Sequence, residues 1–282
     1  KDINKDFNVE GNVGLNLRVN KRNQFIGQTN GGLVAADLFN FDNSANPLTP
    51  DDTFNYDSTS KVDGKFIRAS IGYKDTFFIE GSARQDRSST LPKENNSYFY
   101  SSISGTFIFS NLIDLPWLNF GKLRANYANV GADTTPYNVF NSYSVVAPFA
   151  GNAAASNPST FNNSELRAEI TKDKEIGVEL RLFKNLNFDI SFYDRNTEDL
   201  ITPVSVSSAS GASFVYLNGG SISNRGVEII ASTKFIEKED FVWSISVNYS
   251  KNKSEVLSLA PGIDYLELAA PQGGVSIGAK VG

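Results

Sequence analysis

Apolar and polar residues alternate along much of the chain, and a period of two predicts β-strands rather than helices. In residues 7–19, the apolar side chains Phe7, Val9, Val13 and Leu15 fall on one face, and polar side chains fall on the other. The same alternation returns further along, and the chain is therefore predicted to form about nine strands. The later alternating stretches are 67–73, 77–84, 99–109, 122–127, 175–182, 186–193, 227–235 and 241–250.

The connections between these strands differ sharply in length at the two ends of the predicted sheet. Short connections near 74–76, 111–119, 184–185 and 236–240 alternate with long ones at 20–62, 87–97, 131–172, 197–222 and from 254 onward. The long connections are rich in Asn, Ser, Gly, Asp and Pro. Loops of that length are uncommon in compact domains unless they carry function. Short turns therefore join the strands at one end of the predicted sheet, and long loops join them at the other.

Strands of about ten residues with one apolar and one polar face, joined by tight turns at one end, are typical of a transmembrane β-barrel. Lipid offers no partner to unpaired backbone groups, so such a sheet must close on itself. Aromatic residues near both strand ends suit the two membrane interfaces. The chain is predicted to be all-β: a fragment of an antiparallel transmembrane β-barrel with short periplasmic turns and long extracellular loops.

A soluble antiparallel sandwich is the structural alternative, because one face packing a core and one meeting water gives the same alternation. The polar face here consists mostly of Ser, Asn, Gly and Thr with scattered charges. A barrel lumen filled by another domain would require such a face. A soluble β-rich binding or adhesion module stays open at this point.

The amino-acid composition limits the catalytic and metal-binding functions that the chain can have. The 282 residues carry a net charge of −5 and are 40% hydrophobic, which excludes a disordered chain. Cysteine, histidine and methionine are absent, which removes thiolate zinc sites, histidine-dependent nucleophilic catalysis and haem ligation by His or Met. We expect no cofactor, no metal and no nucleic-acid partner. The chain lacks a start methionine, so we expect a processed chain or a fragment.

Four stretches resemble the SusC/RagA-type TonB-dependent transporters. They are residues 84–100 (RQDRSSTLPKENNSYFY), 120–124 (FGKLR) with 130–131 (VG), 174–179 (KEIGVE) and 218–228 (NGGSISNRGVE). The resemblance implies an outer-membrane importer of glycan fragments or oligopeptides from Bacteroidota. It also implies a barrel of about 22 strands, an amino-terminal plug, a TonB-binding segment and a SusD-like surface lipoprotein as lid. Residues 1–282 would then be part of the barrel, without plug, signal peptide or TonB-binding segment.

Two groups of residues are candidates for contacts with the plug, with a substrate or with a partner protein. Charges on the polar face are expected to pair with each other or to hold the plug inside the lumen: Arg68, Arg84, Arg124, Glu179, Arg181 and Glu228. Aromatic residues in the long connections suit stacking on a substrate or packing on a partner: Tyr137, Phe140, Tyr143, Phe149, Phe161, Phe214 and Tyr216. Packing of these aromatics within their own loops is the simpler explanation.

Catalysis is not expected. The carboxylate pairs Glu237/Glu239 and Asp51/Asp52 lie in turns and loops. Nothing in the sequence fixes the separation that a glycosidase needs between its two acids. We therefore expect a transporter rather than an enzyme. A SusC-like barrel that has lost transport and serves as an outer-membrane scaffold is the remaining alternative.

Overall fold

The computed structural model describes residues 5–263, 265–269 and 277–282. Among these residues no helix is long and apolar enough to cross a bilayer. Short 3-10 segments occupy Phe41–Asn43, Pro50–Asp52, Phe109–Asn111 and Ser208–Ser210. The strands are β1 (Phe7–Gly27), β2 (Asn30–Leu33), β3 (Ser44–Asn46), β4 (Thr53–Tyr73), β5 (Phe77–Ser88), β6 (Ser97–Phe107), β7 (Leu118–Ala132), β8 (Ser144–Phe149), β9 (Asn152–Ser156), β10 (Thr160–Phe161), β11 (Glu169–Leu182), β12 (Leu186–Glu198), β13 (Ile201–Ser205), β14 (Phe214–Asn218), β15 (Gly220–Lys238), β16 (Phe241–Leu259), β17 (Tyr265–Ala269) and β18 (Ile277–Lys280).

Nine strands form one antiparallel sheet in the order β1-β4-β5-β6-β7-β11-β12-β15-β16. Each of the nine predicted strands coincides with one of them, and only 99–109 runs past the end of its strand, so the predicted strand count is confirmed. Neighbours in the sheet follow one another along the chain, apart from small strands in the connections. The sheet does not close between β1 and β16, as expected for part of a larger barrel.

The pairing register separates an apolar face from a polar face. Residues directly opposite each other in a sheet share one face. One cross-strand row runs Leu123–Val178–Ile190–Ile229–Tyr249 and is apolar throughout. The adjacent row on the other face begins with Lys122, Glu179 and Asp189. The sheet therefore has the two-faced pattern that a barrel wall requires.

Apolar side chains on the apolar face point away from the protein. Val13 and Leu15 on β1 are 82% and 84% exposed, and Ile176 on β11 is 64% exposed. A continuous exposed apolar surface is unfavourable in water and favourable against lipid. The apolar face is therefore suited to contact with lipid.

Tight turns close the sheet at its short-turn end. The connections 74–76 and 183–185 contain three residues each, and two successive residues with positive φ make the tight turn in each: Lys74 and Asp75, and Phe183 and Lys184. Aromatic rings gather on the apolar face beside these turns, as predicted. Phe77 stacks on Phe107 at 4.6 Å, and Phe235 packs edge-on against Trp243 at 5.3 Å. These rings form the belt expected at a membrane interface.

Several strands are longer than the sequence pattern predicted. β1 and β4 pair without interruption up to Gly27 opposite Thr53, so much of the predicted 20–62 connection is strand. Beyond the membrane both faces of a hairpin meet water, and the apolar–polar contrast that revealed the strand disappears. The predicted 131–172 connection likewise contains β8, β9 and β10. Phe109, predicted to end a strand, lies in a 3-10 segment with its ring over Gly121.

Candidate functional site

The polar face carries a charge network in which one side chain crosses a whole strand. Arg124 on β7 lies opposite Gly177 on β11. Its Nη2 donates to Asp189 Oδ1 on β12 at 2.8 Å, and its Nε donates to Glu175 Oε1 at 3.3 Å. A Cβ at position 177 would lie only 2.6 Å from Arg124 Nε. Glycine at 177 is what lets the guanidinium span three strands.

The same network has an excess of negative charge. Lys122 pairs with Glu179 beside the Arg124 cluster. Two cations, Lys122 and Arg124, thus face three carboxylates, those of Glu175, Glu179 and Asp189. The ionic side chains keep between 25% and 40% of their surface exposed. The network ties the strands together and still presents charge on the polar face.

The side chain of Arg84, on β5, extends across β4 to β1 in the same way. Its Nη2 reaches Asn16 Oδ1 on β1 at 2.8 Å, and its Nε pairs with Asp86 Oδ1 at 2.7 Å. A Cβ at Gly64 would lie 2.7 Å from the guanidinium. Tyr100 donates its hydroxyl to Asp86 Oδ2 at 2.9 Å. The first and last residues of the 84–100 stretch therefore meet around one buried carboxylate.

A third side chain, that of Tyr193, extends across a whole strand, β15. The Tyr193 ring of β12 passes over Gly226, where a Cβ would lie 2.5 Å from the ring Cζ. The Tyr193 hydroxyl donates to Asn252 Oδ1 on β16 at 3.2 Å. Gly226 belongs to the 218–228 stretch, so its missing side chain has a specific packing role.

The other predicted lumen residues make simpler contacts. Arg68 pairs with Glu80 at 2.5 Å, and Arg181 donates to Asn187 Oδ1 at 3.1 Å. The Glu228 carboxylate makes no ion pair or hydrogen bond within the described residues. The structure gathers Arg124 and Glu179 into one network and leaves Arg68, Arg84, Arg181 and Glu228 at separate places on the polar face.

The long-loop end is held together by a small apolar cluster. Leu166 is fully buried against Leu91 and Ala168. Further side chains pack around them: Tyr98, Val139, Ile201 and Tyr216. The cluster joins the β5–β6, β7–β11 and β12–β15 connections. These loops therefore form one packed unit rather than independent flaps.

Polar contacts reinforce the same unit. The Asn218 amide accepts from Arg167 N at 2.7 Å and donates to the carbonyls of Arg167 and Asp199 at 2.9 and 2.8 Å. Arg167 also forms an ion pair with Asp199 at 3.0 Å. β10 pairs with β14, and β14 with β13, so strands from two connections share one small sheet. Asn218 thus ties the β7–β11 connection to the β12–β15 connection.

Truncation of Leu166 tests this description. Leu166→Ala should remove about 2–5 kcal/mol of local packing, because the site is fully buried. Limited proteolysis of the full-length protein in detergent should then cut the β7–β11 connection at least about tenfold faster, while the sheet stays intact. Leu112→Ala is the control, since Leu112 is 64% exposed in a short turn. Equal cleavage of both variants and the parent would contradict a shared loop cluster.

The seven predicted loop aromatics occupy different environments. The Tyr137 hydroxyl donates to Asp57 O at 2.5 Å, and its ring packs edge-on with Tyr56 and Phe140, each at 5.9 Å. Tyr216 packs in the apolar cluster, and Phe161 and Phe214 lie on the paired strands β10 and β14. Tyr143 precedes β8, and Phe149 ends β8 beside the hairpin turn; they are 75% and 81% exposed.

Sequence reasoning missed part of this aromatic group. Tyr56 stacks near Phe54 at 6.2 Å, and Arg22 lies 5.5 Å above the Tyr56 ring. The signal was present, because Phe54 and Tyr56 are two residues apart and so share a strand face. It was not recognised because both residues fall in the predicted 20–62 connection.

The predicted carboxylate pairs have structural contacts. The Asp52 carboxylate accepts from the Thr49 backbone and hydroxyl, both at 2.8 Å, and these bonds lower the pKa of Asp52. Glu237 pairs with Lys234 at 2.6 Å near the end of β15. The Asp51 side chain lies outside the described residues. Within the described part of the chain, no group of acidic residues is arranged to hold a metal ion.

Comparisons with known proteins agree with this architecture. Residues 2–272 match the TonB dependent receptor-like β-barrel family, and the chain belongs to that family. TonB-dependent receptor P3 of Formosa agariphila is 30% identical over 213 residues, which is 73% of this chain and 21% of that protein. TonB-dependent receptor SusC of Bacteroides thetaiotaomicron is 27% identical over 214 residues, which is 71% of this chain and 21% of that protein.

Solved structures show the same fold. The RagAB peptide transporter structure superimposes with a TM-score of 0.82 at 22% identity, over 100% of this chain and 31% of the matched chain. The FrpB iron transporter of Neisseria meningitidis gives 0.53 at 15% identity, over 92% of this chain and 35% of the matched chain. This chain spans about a fifth of the length of the curated relatives. It is a segment of a SusC/RagA-type transmembrane barrel.

Proposed function

We propose that the protein containing this chain sits in the outer membrane and imports oligomeric nutrients, with its energy supplied through TonB. The two-faced sheet carries this proposal. Its apolar face is exposed along the membrane-facing rows, while its polar face holds charge networks directed into the lumen. A wall of this kind seals a membrane and surrounds a polar interior. It performs no bond chemistry.

The lumen charges are proposed to hold an amino-terminal plug domain. The Arg124 network has more carboxylates than cations, and the Glu228 carboxylate makes no ion pair with a described residue. Unpaired charge facing an interior favours a partner of complementary charge. Plug release under TonB force would then break a limited set of exposed ion pairs, which are individually weak.

The extracellular loops are proposed to form the substrate vestibule and to meet a SusD-like lipoprotein. The packed loop unit gives a fixed base, and Tyr143 and Phe149 project from it with most of their surface free. Exposed aromatic rings beside Asn and Ser suit oligopeptides and glycan fragments equally. The RagAB neighbour is a peptide transporter, which makes oligopeptides the first substrates to test.

Uptake in cells tests the transport proposal. A strain lacking the full-length gene should lose energy-dependent uptake of either a labelled oligopeptide pool or a labelled oligosaccharide pool. Complementation with the parent should restore uptake, and deletion of TonB should abolish it. Tyr143→Ala/Phe149→Ala should reduce uptake several-fold with unchanged surface abundance. If the deletion strain takes up both pools as the parent does, the scaffold function is favoured instead.

A further inference from the structure

The apolar face changes character abruptly where the strands leave the membrane. One cross-strand row on β7, β11, β12, β15 and β16 runs Ala125–Ile176–Phe192–Val227–Lys251. The next row on the same face, two residues nearer the extracellular loops, runs Tyr127–Lys174–Asp194–Arg225–Lys253. The membrane-facing surface therefore passes directly from apolar side chains to a band of charge.

This band is cationic although the whole chain carries a net charge of −5. The two rows contain four cations and one carboxylate, that of Asp194. Asp194 lies 3.3 Å from Arg225, and Lys253 lies 3.2 Å from Glu255 in the next row. Lys174 and Lys251 form no ion pair with the described residues. The Lys253 side chain is 73% exposed and that of Arg225 58%.

The position of the cations decides what can meet them. Side chains at the edge of the apolar band lie at the depth of the lipid headgroups. A lysine there lays its methylene stem along lipid and raises its ammonium to the interface. Tyr127 lies in the same row as Lys174 on this face, as interfacial aromatics do. Phosphate groups are the anions available at that depth, and guanidinium and ammonium groups bind them well.

We propose that Lys174, Arg225, Lys251 and Lys253 form a binding site for the phosphate-bearing headgroup of a lipid in the outer leaflet. Asp194 holds the Arg225 guanidinium within the site. The lipid would be bound on the outer wall of the barrel, away from the vestibule and the lumen. The site rests on the proposed outer-membrane location but not on transport.

Titration of the full-length protein in detergent tests the site. The probes are diphosphoryl lipid A, the same lipid after removal of its phosphates, and inorganic phosphate, with retention followed by native mass spectrometry. The parent should bind the diphosphoryl form preferentially, and Lys174→Gln/Lys251→Gln/Lys253→Gln should bind it roughly 10- to 100-fold more weakly. Replacing the same three lysines by arginine should retain binding, which separates loss of charge from misfolding.

A matched control removes the same charge elsewhere. Lys74→Gln/Lys184→Gln/Lys238→Gln changes three exposed lysines at the short-turn end. This control should bind lipid A as the parent does. Equal binding of the phosphorylated and dephosphorylated lipids by the parent would overturn the proposal. An equal loss in both triple variants would also overturn it, as would inorganic phosphate binding as tightly as lipid A, which would indicate a site for free phosphate.

Discussion

Replacing Ile229 by Arg should cost about 1–3 kcal/mol of barrel stability in a bilayer, because this residue lies inside the apolar band, between its middle and its charged edge. Its cross-strand partners are Ile190 and Tyr249, and its neighbours on the same face of β15 are Val227 and Ala231. A guanidinium at that position must either extend to the headgroups or draw water into the bilayer, and both cost free energy. In cells, we expect a smaller fraction of full-length protein in the outer membrane, measured as the folded band that shifts on heating before electrophoresis.

Ser246→Arg is the matched control for Ile229→Arg. Ser246 pairs with Ser232 on the polar face, so the added guanidinium would enter the lumen. Its effect on assembly should be small. Similar losses at positions 229 and 246 would show that the two faces are wrongly assigned or that this surface does not contact lipid.

The strand count and the two faces could be predicted because the membrane itself imposes the alternation. Lipid on one side and a polar interior on the other leave a period of two in every segment that crosses the bilayer. The alternation stops where that contrast stops. The extension of β1 from residue 20 to Gly27 carries polar residues on both faces, and no local pattern separates it from a loop.

The candidate site was only partly predictable, for a different reason. Arg124 and Glu179 were recognisable as charges on the polar face, but their partners depend on which residues the register places side by side. The Arg124–Asp189 contact spans an intervening strand. The loop cluster likewise joins Leu91 to Leu166, which are remote in sequence. Local pattern carries no information on such long-range contacts.

Glycines on the polar face are the signal that could have revealed the crossings. Gly64, Gly177 and Gly226 each lie beneath a long side chain from a neighbouring strand. Glycine weakens a strand interior unless something approaches the backbone closely. A glycine at a polar-face position within a strand, with a long charged or phenolic side chain on the adjacent strand, therefore predicts a crossing that can be sought in related barrels.

Gly177→Val should destabilise the barrel by about 1–3 kcal/mol, although valine is normally favoured in strands. The added Cβ would fall 2.6 Å from Arg124 Nε and 2.7 Å from its Cζ, so the guanidinium must leave its position. The ion pairs of Arg124 with Asp189 and Glu175 would be lost together. Urea unfolding of the full-length protein in lipid vesicles, followed by tryptophan fluorescence, measures the change.

The sign of the effect should reverse when the crossing side chain is removed. In an Arg124→Ala background the space above position 177 is empty, so valine should be neutral or stabilising there relative to glycine. Gly105→Val provides the reference for glycine replacement, because a Cβ at position 105 meets no atom within 4 Å. If valine at 177 costs the same with and without Arg124, the cost arises from the backbone, and the guanidinium crossing does not explain the glycine.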